Sequence, residues 1–409
     1  MSLFDKSFVQ MLSLDEAVIF DALFSSVIAP PFYSEVLADL AKEPKQGGPA
    51  EKAVAGLAEK TPIMHCYPAG FHTDLIFAEL IGATIPLNGQ VPRGGAHASV
   101  DKDGKVVVVY GEAPETRAFN RWQRNRFIEL ERDFAAAWRR KLAGSDHASD
   151  AKRVKSRLKI SSEPKVLDDA YAIADDALNA DGRAFATLQT LCMLFGIAGK
   201  DFSAVRAHWI SIGRPKLVNF APYSAFCLRV EIFFWLCIDK RLISPDRPSN
   251  HIDISYLYYL PFCHVFVSND KLHARTSPLF LRDDQRLVNG EKLKADLQKL
   301  LQSYEGEKER LDNVGVMEGI LRPPDDGSLT AELWAAFRNG TSLERGRPPG
   351  NRAAEERLVA MLTSKLNAAI AAPRSNSPRM EPDAMFIQRL IPASRGRWRL
   401  GSKPIVSVG

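Results

Sequence analysis

The sequence predicts an α/β fold: a parallel sheet flanked by helices, with a large, mainly helical insertion and a basic C-terminal extension. Three observations predict it. The first 43 residues alternate short apolar strands with helical spacing, β-α-β-α, which is the rhythm of an α/β sheet. A second such run comes late, where a helix near 252–260, a strand at 264–268 and a helix at 290–304 follow one another. Between and beyond these runs the composition changes. The chain therefore divides into a first core segment (1–43), an insertion (44–163), a helical segment with the second part of the core (164–304), and a basic, partly helical extension (305–409).

The elements follow in order. Ser2-Leu3-Phe4 is a short strand ending at Asp5. Leu14, Ala17, Val18, Phe20, Leu23 and Phe24 give roughly helical spacing. Val27-Ile28-Ala29 reads as a buried strand stopped by Pro30-Pro31. Ser34 reads as the N-cap of a helix with Val36, Leu37 and Leu40 on its apolar face. Lys, Pro and Gly cluster at 43–50 and break the pattern. Gly89 to Gly104 is Gly-rich and turn-like, and Val106 to Tyr110 is a strand. Glu115 to Leu142 reads as one long helix with Trp122, Phe127, Leu130, Phe134 and Trp138 as its apolar stripe. Residues 144–162 read as a polar, basic linker. Helices follow at 168–180, 184–195 and 203–212, and 223–238 is so apolar that it must lie in the core. Pro245-Asp246-Arg247-Pro248 breaks the chain before the second core run. Further helices are expected at 330–338 and 352–371.

Composition excludes several classes. At 45% hydrophobic and 25% charged residues, the 409-residue chain is neither disordered nor fibrous. Its most apolar stretch, Val230 to Ile238, is too short to span a bilayer, so no membrane partner is expected. The N-terminus has no basic region followed by an apolar core, and no signal peptide is expected. Five cysteines without a CxxC pair suggest reduced, buried thiols of a cytoplasmic protein. The net charge of +5 is unevenly spread: residues 338–409 hold 13 Lys/Arg against 5 Asp/Glu. That asymmetry points to an anionic partner, nucleic acid first, although a solvated basic tail would look the same. Arg395, Arg397 and Arg399 around Trp398 have the composition of such a contact. So does the arginine-rich face of 115–142, with Arg121 and Arg124 beside an exposed or half-exposed Trp122.

Carboxylates stand where strands end. Asp5 follows the first strand, Glu35 opens the helix after the second, Asp253 starts the helix before the late strand, and Asp270 follows that strand. In an open parallel sheet the functional crevice lies beyond the carboxyl ends of the strands. Bare carboxylates brought together there repel and take up protons. Mg²⁺ or Mn²⁺ would relieve the repulsion, polarise a phosphodiester and acidify a water. Each residue also has a plain structural reading: Asp5 and Asp253 as caps, Glu35 at the positive end of its helix, Asp270 in a turn. Asp39, four residues after Glu35 on the same face, is an alternative or auxiliary ligand. Ser7 and Asn269 are polar neighbours that could orient water or a carboxylate. His65 and His72 flank Cys66 without a further ligand at zinc spacing.

The segments Phe4-Asp5-Lys6-Ser7-Phe8, Pro31-Phe32-Tyr33-Ser34-Glu35-Val36-Leu37, Asp253 with Tyr256 to Phe262, and Val265-Phe266-Val267-Ser268-Asn269-Asp270 together resemble the PIN-like nuclease family. The resemblance covers 1–42 and 215–300, about a third of the chain. It implies a PIN-like sheet, Mg²⁺ or Mn²⁺ on Asp5, Glu35, Asp253 and Asp270, and hydrolysis of phosphodiester bonds, in RNA first and single-stranded DNA second. The chain departs from the family in an insertion of well over 100 residues between the two halves. So large an elaboration suggests a regulated effector, for instance in bacterial stress response or defence, with a protein partner or a second copy bound through the insertion or tail. The rival reading is a PIN-like scaffold without catalysis that binds protein or RNA.

Overall fold

The computed structural model describes residues 1–42, 49–92, 96–100, 106–110, 114–144, 146–321, 323, 327–338 and 392–401. Its strands are β1 (Ser2–Phe4), β2 (Ser26–Ile28), β3 (Cys66–Pro68), β4 (Ala96–Val100), β5 (Val106–Tyr110), β6 (Val265–Ser268), β7 (Arg286–Asn289), β8 (Ser394–Arg395) and β9 (Trp398–Arg399). Five of them form one all-parallel sheet in the order β3-β2-β1-β6-β7. The central strands are short and apolar because helices cover both faces: Leu3, Phe4, Val27, Ile28, Val265, Phe266 and Val267 are all buried. From β1 the chain winds outward through β2 to β3. It then returns to the other side of β1 and winds outward again through β6 to β7. The order thus reverses between β1 and β6, and a crevice opens there at the carboxyl ends.

Several elements differ from expectation for identifiable reasons. The helix carrying Glu35 is Pro30–Ala38, and it begins at the two prolines rather than after Ser34. Proline suits the first helical turn, whose N–H groups have no intrahelical acceptor. The first part of the expected insertion supplies a strand of the main sheet, since β3 pairs with β2 from Ser26↔Cys66 to Ile28↔Pro68. Three residues ending in proline make a weak strand signal, and an edge position tolerates the missing donor. The strand at 106–110 stays out of the main sheet as expected. It pairs antiparallel with β4, which lies within the segment expected to be turn-like. The expected long helix is two, Pro114–Trp122 and Glu129–Ala143, with Asn125 at φ 52 between them. Trp122 is buried rather than exposed, whereas Leu130 of the expected apolar stripe is 72% exposed. The expected linker contains the helix His147–Arg157, capped by Asp146. It packs His147, Ala151 and Val154 inward, on the side of the core helix Pro222–Asp239. The expected helix at 330–338 is Leu329–Arg338, and that at 352–371 lies outside the described residues.

Residues 392–401 fold back as a strap. Trp398 and Leu400 are fully buried. Arg395 is buried as well. It pairs with the fully buried Asp21 at 3.1 Å and donates to the carbonyls of Glu59 (2.7 Å) and Thr61 (2.8 Å). Asp21 also accepts from the N–H groups of Ile63 (2.6 Å) and Met64 (3.0 Å). Arg397 pairs with Asp15 at 2.8 Å and with Glu305, and Arg399 donates to the Gly401 carbonyl at 3.0 Å. The expected nucleic-acid contact at Arg395 is therefore corrected: this cation is spent inside the fold, because Asp21 of the helix Leu14–Leu23 lies beneath the strap, whereas Arg397 stays on the surface over Asp15.

Arg395→Ala should lower stability by about 3–5 kcal/mol, because it leaves Asp21 charged and unmatched in a dry site. Arg397→Ala, at a half-exposed pair, should cost less than about 1 kcal/mol. Urea-unfolding midpoints of the two variants check the contrast, and equal midpoints would contradict it.

Candidate active site

Asp5 leaves β1 directly and caps the helix Lys6–Met11, accepting from the Phe8 N–H at 2.9 Å. Ser7 donates its hydroxyl to both carboxylate oxygens (2.8 and 2.9 Å), the orienting role expected of it. Ser268, at the end of β6, donates to Oδ2 at 2.6 Å, and Nδ1 of His273 stands 3.3 Å from the same oxygen. Both β1 and β6 thus deliver their next polar groups to one point.

His273, which follows Asp270 by three residues, is the central residue of this site. It is 1% exposed. Nε2 faces the Asp253 carbonyl at 2.7 Å, so that nitrogen carries a proton. Nδ1 faces Ser268 Oγ at 2.8 Å. That oxygen gives its own hydrogen to Asp5 and already accepts from the Asp270 N–H at 3.0 Å, so its remaining lone pair takes a hydrogen from Nδ1. With Asp5 ionised and taking the Ser268 hydrogen, both ring nitrogens donate and His273 is an imidazolium. Burial pulls its pKa down, but the hydrogen bond and charge of Asp5 outweigh this and hold it at about 9. Conversely, burial pushes the Asp5 pKa up, and His273, Ser268 and the Phe8 N–H bring it below the usual range.

The other acids sit in a different electrostatic state. Burial raises Glu35 to about 7; Lys6 and the Tyr256 hydroxyl counter it, while Asp253 and Asp5 add to it. Tyr256, fully buried, donates to Glu35 Oε2. Asp253 lies on the helix Asn250–Ser255, and burial raises it to about 6; His273 and Arg247 counter this, while Asp270 and Asp5 add to it. Its Oδ2 is buried without a hydrogen-bond partner, and the Arg247 guanidinium reaches only 4.0 Å from it. Asp270 caps the helix Lys271–Thr276, accepting from the Leu272 N–H at 2.6 Å.

Asp5, Glu35, Asp253 and Asp270 thus share one neighbourhood in which each acid feels at least one of the others. The remaining expectations fare differently. Asp39 is held by Lys6 at 2.7 Å, which also donates to the Glu35 carbonyl, so a lysine already neutralises the auxiliary ligand. Asn269 turns away: its Oδ1 accepts from the Glu291 N–H at 3.0 Å and so fixes the start of the helix Gly290–Glu305. Arg121 pairs with the buried Glu131 across the broken helix, while Arg124 stays exposed.

Among the described residues, no three His, Cys, Asp or Glu side chains converge as a ready cation site. Asp5 already takes hydrogen bonds from Ser7, Ser268 and the Phe8 N–H, with His273 alongside. The set left for a cation is Glu35, Asp253 and Asp270. The orphaned Oδ2 of Asp253 and the proton-holding state of Glu35 are what a hard cation would relieve.

The His273 value above the ordinary imidazole value of 6.5 ties stability to pH. Its contribution is complete below about pH 6.5 and is lost as pH rises through about 9. Wild type should lose roughly 2–3 kcal/mol across that window, and His273→Gln should flatten the loss. Urea midpoints at several pH values measure it; parallel curves for the two proteins would contradict the charged imidazole. Glu35 and Asp253 act at lower pH: both favour the protonated form in the fold, so stability from them falls as pH rises from about 4 to about 7.

The five cysteines are all free and buried, and among the described residues no helix is long and apolar enough to cross a membrane. No family model, no curated protein and no solved structure matches this chain, so the chemistry of the site stands on its own geometry.

Proposed function

We propose that this chain is a divalent-metal-dependent nuclease of PIN-like type that hydrolyses phosphodiester bonds, in RNA first and single-stranded DNA second. One observation carries the reading. Four acids from distant parts of the sequence share the carboxyl edge at the switch point of a parallel sheet, and two of them are driven up to about 7 and about 6 by burial and by one another. Crowded acids in this state are poised for a cation.

Glu35, Asp253 and Asp270 would hold Mg²⁺ or Mn²⁺, which when bound polarises the phosphodiester and acidifies water. Asp5 acts through position: with His273 and Ser268 it ties the two central strands together and sets the backbone from which Asp253 and Asp270 project. Glu35, near neutrality in its proton affinity, suits the acceptance of a proton from water, and the Tyr256 hydroxyl stabilises its charged form. Free, buried thiols fit a reducing cytoplasmic setting. A second reading is a PIN-like scaffold that binds RNA or protein without cleaving. It draws on the saturation of Asp5 and on the absence, among the described residues, of three converging ligands.

Asp270→Asn should lower cleavage by roughly 100-fold or more while keeping the fold, because asparagine caps a helix as well as aspartate does. Mn²⁺ should raise the melting temperature of wild type more than that of the variant. Melting curves with and without Mn²⁺, beside cleavage of labelled RNA and single-stranded DNA, test both statements. Cleavage by the variant at the wild-type rate sinks the site assignment. No cleavage and no response to metal in either protein leaves the scaffold.

A further inference from the structure

A cleft of about 470 Å³ opens beside the helix His147–Arg157, lined by Lys152, Lys155, Ser156, Lys159, Ile160, Ser161 and Asp239. Four of these, at 152, 155, 156 and 159, recur at helical spacing and share one face. Residues 150–160 hold five Lys or Arg against one acid. The acids nearby are already matched: Lys155 pairs with Asp239 at 3.0 Å and Glu163 at 3.3 Å, and Lys240 pairs with Glu163 at 2.7 Å. Lys152 and Lys159 are exposed and pair with no described acid. Lys159 stands at φ 50, just past the helix end, a conformation usually given to glycine. Attraction to the negative end of the helix accounts for one terminal cation, not for a cleft lined by three.

We infer that this cleft binds the phosphate backbone of a single-stranded nucleic acid whose scissile bond lies at the carboxylates. The inference rests on the nuclease reading and adds to it a site that the PIN-like resemblance does not include. Lys152 and Lys159 lie two helical turns apart, about 10 Å, so neighbouring phosphates of one strand can meet both amines. Ser156 and Ser161 add hydroxyl donors that suit phosphate oxygens, and the half-buried Ile160 gives an apolar floor. The cleft is joined to the acids by one segment. Asp239 lines the cleft, and eight residues later Arg247, 62% exposed, stands 4.0 Å from Asp253 Oδ2. Eight residues reach at most about 28 Å, a path that a 12-mer single strand is long enough to cover. Arg275 borders that path, donating to the Leu242 carbonyl at 3.2 Å.

The test is fluorescence anisotropy of full-length protein with labelled 12-mer and 4-mer oligouridylate and oligothymidylate, in EDTA so that cleavage plays no part. K152A/K159A should bind the 12-mers roughly tenfold more weakly at about 0.1 M salt. Its plot of log affinity against log salt should be shallower by roughly 1.4, at about 0.7 per single-strand contact. The 4-mers are long enough to meet both lysines and should weaken by a similar factor. The control K52A/K200A removes two exposed lysines elsewhere with the same loss of charge and should bind like wild type. An unchanged slope in K152A/K159A, an equal loss in the control, or equal competition by polyglutamate overturns the inference, as does failure of wild type to bind any 12-mer. A protein that binds through these lysines yet cleaves nothing keeps the cleft and loses only the nuclease.

Discussion

The carboxyl edge of the sheet depends on one buried ion pair, Asp5 with the imidazolium of His273. Its two partners come from opposite sides of the switch between β1 and β6. Ser268 bridges them, giving a hydrogen to Asp5 and accepting from His273 and from the Asp270 N–H. The far nitrogen of the same imidazole holds the Asp253 carbonyl. One side chain thus fixes the end of β1, the turn after β6 and the helix of Asp253. Losing either charge would strand the other in a dry environment, which typically costs about 3–5 kcal/mol. Parallel strands only three or four residues long have little pairing of their own to resist such a loss.

That pair also explains why four acids in one place are not four equivalent acids. Asp5 meets a full positive charge and stays ionised. Glu35 and Asp253 are buried beside other acids, and the partial opposition of Lys6 and Tyr256 to the one, and of His273 and Arg247 to the other, leaves both holding their protons toward neutrality. Environment, not residue type, divides the structural acid from the responsive ones. The division falls between acids close in space because His273 and Lys6 supply cations to particular oxygens, those of Asp5 and Asp39, and leave Asp253 Oδ2 without a partner.

Strand-end acids were legible because a carboxylate directly after a buried apolar run has few other places to go; Asp5 after Leu3-Phe4 and Asp270 after Val265 to Ser268 are of this kind. The core helix was legible because its apolar residues run all round. His273 was not, since a lone histidine three residues into a helix carries no signal until the fold supplies Asp5 from the other end of the chain. β3 and β7 were missed for a related reason. Cys66–Pro68 and Arg286–Asn289 are edge strands, and an edge strand needs less apolar length than a central one. Arg395 misled because its neighbours are basic, and only packing reveals that Asp21 waits beneath it. Charge patterns report where cations are in the sequence, not which are matched in space.

The same distinction redistributes the electrostatics of the whole chain. The tail carries the excess of positive charge, yet its described arginines 395 and 397 are neutralised by Asp21, Asp15 and Glu305. The segment at 150–160, inconspicuous in the overall balance, has its one acid, Asp150, paired with Arg153, and its Lys152 and Lys159 pair with no described acid. A polyanion responds to unmatched charge close to a surface it can reach, because matched pairs screen each other within a few ångströms. Among the described residues, Lys152 and Lys159 of the insertion are exposed cations without an acid partner that such a ligand can reach, whereas Arg395 and Arg397 of the strap already face acids. Arg395 of the strap serves cohesion, and under the proposal above the insertion's lysines serve recognition.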